Sequence, residues 1–87
     1  MATSPTEKIL VAESDPDISD LIVRQALKPF GYQVSLATDG STAIRQTVQF
    51  QPDVLITNIN LPGLSGKDLL VALSSQGISM PMIVMAE

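Results

Sequence analysis

Short apolar runs alternate along the chain with segments in which apolar residues recur at helical spacing. The run at residues 9–12 is continuously apolar, as expected of a central parallel strand that is covered on both faces. Such alternation is typical of βαβ units that build one parallel sheet, so the pattern predicts an α/β fold. The predicted strands cover residues 9–12, 32–37, 54–56 and 82–85, and the predicted helices cover residues 16–28, 40–51 and 66–76.

Local signals predict where these helices begin and end. Asp15 is a suitable N-cap for the first helix, and the residues Asp39-Gly40-Ser41 open the second. Pro29 and Pro52 are predicted to end those two helices, and Gly77 to end the third. The faces predicted to point towards the sheet contain Ile18, Leu21, Ile22 and Leu27 in the first helix, Ala43, Ile44, Thr47 and Val48 in the second, and Leu69, Leu70 and Leu73 in the third.

Size and composition limit the possible functions. The chain has 87 residues, of which 45% are hydrophobic, which suits a single small core. It contains no cysteine and no histidine, so disulfides, thiol nucleophiles, imidazole ligands and histidine bases are excluded. We expect one domain over residues 8–87, preceded by a flexible N-terminus over residues 1–7.

The charge balance bears on the partners of the chain. Nine acidic and five basic side chains give a formal charge of −4, which argues against direct binding of nucleic acid or of an anionic membrane surface. The sequence also shows no apolar stretch of the length that a signal peptide or a membrane-spanning helix needs. We therefore expect a cytoplasmic protein whose partners are other proteins.

The candidate chemistry lies just after the predicted strands, because open α/β sheets carry their functional sites at the carboxyl ends of the strands. Glu13, Ser14 and Asp15 follow the first strand, Asn58 and Asn60 follow the third, and Ala86 and Glu87 follow the fourth. Taken separately, the first group could be an ordinary helix cap, and the loop after the third strand could be an ordinary turn. Their joint occurrence at three strand ends favours a functional site.

Four segments carry a resemblance to a known family. They are KILVAESDPDISDLI at residues 8–22, GYQVSLATDGSTAI at residues 31–44, PDVLITNINLPGLSG at residues 52–66 and MPMIVMAE at residues 80–87. The chain resembles a response-regulator receiver domain of the CheY-like superfamily, a module that accepts a phosphoryl group from a histidine kinase on an aspartate. The resemblance implies a flavodoxin-like, doubly wound parallel sheet with strand order 2-1-3-4-5. Only the first four strands and three helices are present, so we expect a fold truncated after the fourth strand, in a piece of a longer signalling protein.

The resemblance also implies a role for each candidate residue, and most of these positions are altered. The two adjacent acids that hold Mg²⁺ in the family fall on Glu13 and Ser14, and the phosphoacceptor aspartate falls on Asn58. The residue whose backbone carbonyl helps to hold the metal falls on Asn60, and the hydroxyl residue of the conformational switch falls on Ala86. We therefore expect a degenerate site with no catalytic residue and no resident cofactor, where Mg²⁺ would bind weakly if at all.

These residues predict a pseudo-receiver, a receiver-like protein-interaction module of a two-component system that is neither an enzyme nor phosphorylated at Asn58. One alternative is a phosphorylation-dependent receiver that uses an atypical acceptor, Asp15 or Ser14. A second alternative is a nucleotide-binding α/β fragment, although no G-x-G-x-x-G or Walker loop follows any strand. We also expect a homo-oligomer that forms through the exposed edge of the fourth strand and the uncovered face of the sheet.

Overall fold

The computed structural model describes residues 7–86, so residues 1–6 of the N-terminal segment predicted to be flexible (residues 1–7) and the terminal Glu87 lie outside the described residues. Within that range, strands and helices alternate as the sequence predicts. The strands are β1 (Lys8–Ala12), β2 (Gln33–Ala37), β3 (Val54–Asn58) and β4 (Met82–Met85), and the α-helices are α1 (Pro16–Asp20), α2 (Gly40–Phe50) and α3 (Gly66–Ser75). A π-helical segment, Leu21–Leu27, and a 3₁₀ turn, Lys28–Phe30, continue α1.

All four strands form one parallel sheet in the order β2-β1-β3-β4. The order confirms the prediction of a doubly wound α/β fold, because β1 and β3 are neighbours although β2 lies between them in the sequence. Ala12 of β1 lies opposite Thr57 of β3, and Asn58 of β3 lies opposite Met85 of β4. The carboxyl ends of these three strands therefore meet at one edge of the sheet.

Each face of the sheet carries its own apolar core. On one face, Leu10 and Leu55 pack with Leu69 and Leu73 of α3, and all four side chains are at most 2% exposed. On the other face, Val11 and Ile56 pack with Leu27, the last residue of the π-helical segment. Burial on both faces explains why β1 and β3 are nearly continuous apolar runs.

The predicted N-cap of the first helix is confirmed, and the second helix has an aspartate cap as well. Asp15 accepts hydrogen bonds from the backbone amides of Asp17 and Ile18 at the start of α1. Asp39 accepts one of 2.7 Å from the backbone amide of Thr42 at the start of α2. This bond favours the charged carboxylate and holds the pKa of Asp39 below its ordinary value of 3.8.

The predicted end of the first helix was wrong. Pro29 lies inside the 3₁₀ turn, and the chain leaves the helical conformation at Gly31, which has a φ of 85°. A proline fits the first positions of such a turn because its missing N–H has no partner to lose there. Gly31 ends the turn because glycine adopts the left-handed conformation without steric cost.

Three side chains predicted to face the sheet are instead exposed. Leu21 is 53% exposed at the first position of the π-helical segment. The i→i+5 hydrogen bonds of this segment rotate its side chains away from the directions expected for a regular α-helix with 3.6 residues per turn. Val48 is 53% exposed and lines an open groove beside Met80, and Leu70 is 48% exposed in a groove with Met80 and Met82. Both grooves open beside the chain that leads into β4.

Candidate functional site

The centre of the candidate site is a hydrogen bond between the ends of β1 and β3. Glu13 follows β1 directly and Asn58 ends β3, and they are 2% and 4% exposed. The side-chain amide nitrogen of Asn58, Nδ2, donates to Oε1 of Glu13 over 2.9 Å. The structure therefore brings together the two candidate residues that the sequence places 45 positions apart.

Two backbone amides fix the orientation of this pair. Oδ1 of Asn58 accepts a hydrogen bond of 2.8 Å from the backbone amide of Asn60, and Oε2 of Glu13 accepts one of 3.0 Å from the backbone amide of Asp15. A flipped Asn58 amide would place its oxygen against the Glu13 carboxylate and its NH₂ group against the Asn60 N–H. Only the observed orientation satisfies both contacts, so an N–H group faces the carboxylate.

The other candidate residues lie around this buried pair. Ser14 and Asp15 are exposed, and Asp15 is engaged in capping α1. Asn60 is exposed, and its contact with Asn58 is made by its backbone. Ala86 is exposed directly after β4, at the same edge of the sheet. None of these side chains brings a second carboxylate to Glu13.

One contributor to the site was underestimated from the sequence, which indicates only a helix start at Gly66. Its backbone amide donates a hydrogen bond of 2.8 Å to the carbonyl of Ile59. A Cβ atom on Gly66 would lie 3.0 Å from the backbone oxygen of Asn58 and 3.1 Å from Cα of Ile59. The glycine thus lets α3 approach the chain at the end of β3. In the sequence, the position of Gly66 three residues after the L-P-G turn could have indicated this close approach.

The residues present do not fit the Mg²⁺ ion that the resemblance implies. Magnesium is bound through anionic oxygens, and Glu13 is the carboxylate that the ends of β1 and β3 direct into the site. The Asn58 N–H group points at that carboxylate, so a hydrogen-bond donor stands where a cation would bind. Across residues 7–86, no three Asp or Glu side chains group in a way that could hold a metal ion.

Comparison with known proteins identifies the class. Residues 9–87 match the family described as the response regulator receiver domain, and the chain belongs to this family. The fold and the positions of the site residues at the strand ends agree with that membership. The sequence-based recognition of the receiver family and the predicted fold class are therefore confirmed.

The similarity to individual curated proteins agrees with this family assignment. The chain is 32% identical over 84 residues to the transcriptional regulatory protein PrrA of Mycobacterium tuberculosis, covering 97% of this chain and 35% of that protein. It is 35% identical over 74 residues to the sensor protein EvgS of Escherichia coli K12, covering 85% of this chain and 6% of that protein. The chain thus spans about a third or less of the length of these curated relatives.

Solved receiver domains share the architecture. The receiver domain of the Francisella response regulator 1452 superposes with a TM-score of 0.86 at 30% identity, over 93% of this chain and 66% of that one. The BeF3-activated N-terminal receiver domain of Klebsiella pneumoniae RstA superposes with a TM-score of 0.84 at 28% identity, over 92% of this chain and 67% of that one. In residues 7–86 of the present chain, no helix has the length and apolar character needed to cross a bilayer.

Proposed function

We propose that this receiver domain works in two-component signalling by binding other proteins, and that it neither accepts a phosphoryl group at Asn58 nor catalyses a reaction. The observation that carries the proposal is the 2.9 Å hydrogen bond from Asn58 Nδ2 to Glu13 Oε1. Membership of the receiver family favours this reading over a nucleotide-binding fragment. The partners are proteins of a signalling system, to which the domain presents a folded surface.

The chemistry of phosphoryl transfer supports the first part of the proposal. In that step, a carboxylate oxygen forms a new bond to phosphorus while the bond from phosphorus to the leaving group breaks, and cations neutralise the charge on the transferred oxygens. The amide nitrogen of Asn58 has a delocalised lone pair, and its oxygen carries no full charge. The Asn58 oxygen also accepts the Asn60 backbone N–H, so it lacks both the charge and the open approach of a nucleophile.

Phosphorylation of an alternative acceptor, Asp15 or Ser14, has less support than the absence of phosphorylation at this site. Oδ1 of the Asp15 carboxylate accepts the backbone N–H groups of Asp17 and Ile18, so conversion of the carboxylate to an acyl phosphate would remove the negative charge from the cap of α1. Ser14 is exposed and follows Glu13 in the sequence, and the buried Glu13 carboxylate offers one anionic ligand for a divalent cation. Neither residue has the cluster of anionic oxygens that phosphoryl transfer to a receiver uses.

The switch position supports the same conclusion. A bound phosphoryl group can shift a conformational equilibrium only if it contacts the two conformations differently. Ala86 carries no hydroxyl group that could bind a phosphoryl oxygen. We therefore propose that a partner recognises a single conformation of this domain, which does not change with the phosphorylation state of the two-component system.

Incubation with acetyl phosphate and Mg²⁺, followed by intact-mass measurement, tests the proposal. We expect the wild-type chain to gain no phosphoryl group, and a triple variant, Ser14→Asp, Asn58→Asp, Ala86→Thr, to gain one. Asn58→Asp alone is the matched control, and we expect slow or partial labelling because Ser14 still supplies no charge to the metal. Stoichiometric, Mg²⁺-dependent labelling of the wild type would overturn the proposal, and mapping the modified residue would show whether Ser14 or Asp15 is the acceptor.

A further inference from the structure

The outer edge of β2 borders a groove whose charge differs in sign from that of the whole chain. The groove has a volume of about 400 Å³ and lies between β2 and the helical stretch that α1 and the π-helical segment form. Its aliphatic and charged lining residues are Val23, Val34, Leu36, Asp20, Arg24 and Lys28. Two basic side chains and one acidic side chain give this groove a net positive charge, whereas the chain has a formal charge of −4.

The two basic side chains of the groove can both pair with a bound carboxylate. Lys28 is exposed, and its ammonium makes no ion pair within residues 7–86. Arg24 pairs with Asp20 over 3.4 Å, but these side chains are 73% and 53% exposed. An ion pair this exposed contributes little to stability, so a carboxylate from outside the chain can take the place of Asp20 beside Arg24.

The backbone of β2 is open along the same groove, since the described sheet has β2 as an outer strand. The amide of Gln33 and the carbonyl of Ala37 make hydrogen bonds to the residues on either side of β1. Because the direction of these groups alternates along a strand, the backbone groups of Val34 and Leu36 face outward. The side chains of Val34 and Leu36 line the groove, and Leu36 is 42% exposed.

This open edge lies across the sheet from β4. The strand order 2-1-3-4-5, which the family resemblance implies, adds a fifth strand beside β4 and leaves β2 outermost. The β2 edge therefore remains an edge of the complete sheet. An outer strand with outward backbone groups and a side-chain groove beside it has the features of a site where an extended peptide adds to a sheet.

We infer that the β2 edge binds an extended, acidic segment of a partner protein, which joins the sheet as a strand beside β2. The backbone of the segment pairs with the outward groups of Val34 and Leu36, and its aliphatic side chains pack in the groove. Its carboxylates pair with Arg24 and Lys28. Basic side chains at a strand edge repel a basic segment, so the same two residues select the partner by charge.

A short acidic segment fits this edge better than a large polyanion. The rest of the chain is strongly negative, and it repels a nucleic acid or an anionic membrane surface. The inference rests on the proposed role in protein binding, for which it names the surface and the kind of partner. It does not involve Glu13 or Asn58.

Titration of the isotope-labelled 87-residue chain with two short probe peptides, followed by amide chemical shifts, tests this inference. In both peptides threonine occupies every second position. The positions between alternate valine with glutamate in the acidic probe and valine with lysine in the basic probe. We expect the acidic probe to shift the amide signals of Val34 and Leu36 saturably, and to bind at least about tenfold more tightly than the basic probe. Added salt should weaken the binding of the acidic probe.

A charge reversal and its matched control locate the binding. Lys28→Glu reverses a charge in the groove, and Lys67→Glu makes the same change at an exposed position of α3, outside the groove. We expect Lys28→Glu to weaken binding of the acidic probe by about tenfold and to strengthen binding of the basic probe. Lys67→Glu should bind both probes as the wild type does. A variant that failed to fold would lose both probes, so the exchange of preference identifies the groove.

Three results would overturn the inference. They are the absence of a saturable shift at Val34 and Leu36, equal affinity for the two probes, and equal effects of Lys28→Glu and Lys67→Glu. Shifts of the same amides with protein concentration alone would identify a second copy of the chain as the occupant, and would also overturn it. Phosphoryl labelling at Asn58 is measured separately, so failure of the proposed phosphorylation silence and failure of this inference are distinguishable.

Discussion

The Asn58 side-chain amide donates a 2.9 Å hydrogen bond to the Glu13 carboxylate, and both side chains are buried at the carboxyl ends of neighbouring strands. A buried carboxylate needs partners that offset the loss of hydration. Here the partners include the Asn58 N–H group and the backbone amide of Asp15. In a receiver with an aspartate at this position, two carboxylates would face each other. A cation would then have to offset the lost hydration of the buried carboxylates, as the Asn58 amide does for Glu13 here.

This relationship predicts that, in Asn58→Asp, the free energy of unfolding depends on a divalent cation. The change replaces a donor by a second carboxylate beside Glu13, so we expect a loss of about 1–3 kcal/mol in the free energy of unfolding without metal. Mg²⁺ at millimolar concentration should restore part of that loss by bridging the carboxylates. Urea unfolding in EDTA and in Mg²⁺ measures both effects.

The matched control for that experiment is Asn60→Asp, at an exposed position where the backbone, and not the side chain, contacts Asn58. We expect a change within about 0.5 kcal/mol and no response to Mg²⁺. Equal destabilisation of the two variants, or an Asn58→Asp variant that is as stable in EDTA as the wild type, would contradict the role assigned to the amide.

The cap of α2 predicts a specific pH dependence of stability. The backbone amide of Thr42 lowers the pKa of Asp39 in the folded protein below its ordinary value of 3.8. A lowered folded-state pKa means that the charged cap stabilises the fold above the unfolded-state pKa and ceases to do so as the pH falls through the folded-state pKa. Thermal unfolding of the wild type and of Asp39→Asn, which keeps a capping oxygen without the charge, measures this contribution between about pH 2.5 and 6.

We expect the wild type to unfold at a higher temperature than Asp39→Asn at the upper end of this range. The difference should shrink as the pH falls below the ordinary pKa of an aspartate and vanish in strong acid. A difference between the two proteins that stays constant across the range would show that the charge of Asp39 contributes nothing.

For Gly66→Ala, we predict both the sign and the size of the change in the free energy of unfolding. Alanine is the better helix former, so helix propensity alone predicts a more stable protein, by up to about 1 kcal/mol. The new Cβ atom would lie 3.0 Å from the Asn58 backbone oxygen and 3.1 Å from Cα of Ile59, and backbone atoms yield with difficulty. We therefore expect a loss of about 1 kcal/mol or more in urea unfolding. A stabilised variant would show that the loop after β3 moves freely.

Much of the fold was predictable because its signals are local. The apolar runs of β1 and β3 mark strands covered on both faces, and the aspartates at Asp15 and Asp39 mark helix starts with their own side-chain hydrogen bonds. The assignment of Asn58 to the family's acceptor position depends on the segment of residues 52–66, which resembles the family without a gap, and it stays a prediction. These features depend on neighbours in the sequence.

The features that were mispredicted depend on neighbours in space. Leu21 is apolar and correctly spaced for a regular helix, but the π-helical segment changes the face it occupies. Val48 and Leu70 follow the helical period, yet they lie beside open grooves. The bond between Asn58 and Glu13 joins residues 45 positions apart, and the sequence placed them at one edge of the sheet without indicating that they contact each other.

The proposed function requires that the Glu13–Asn58 pair binds neither Mg²⁺ nor a phosphoryl group. The most direct measurement is fluorine NMR of the protein with beryllium fluoride and Mg²⁺, because beryllium fluoride binds an acceptor carboxylate as a phosphoryl group would, without a kinase or a turnover step. We predict no protein-bound fluorine signal for the wild type and a Mg²⁺-dependent bound signal for the variant Ser14→Asp, Asn58→Asp, Ala86→Thr. A stoichiometric, Mg²⁺-dependent bound signal in the wild type would contradict the account.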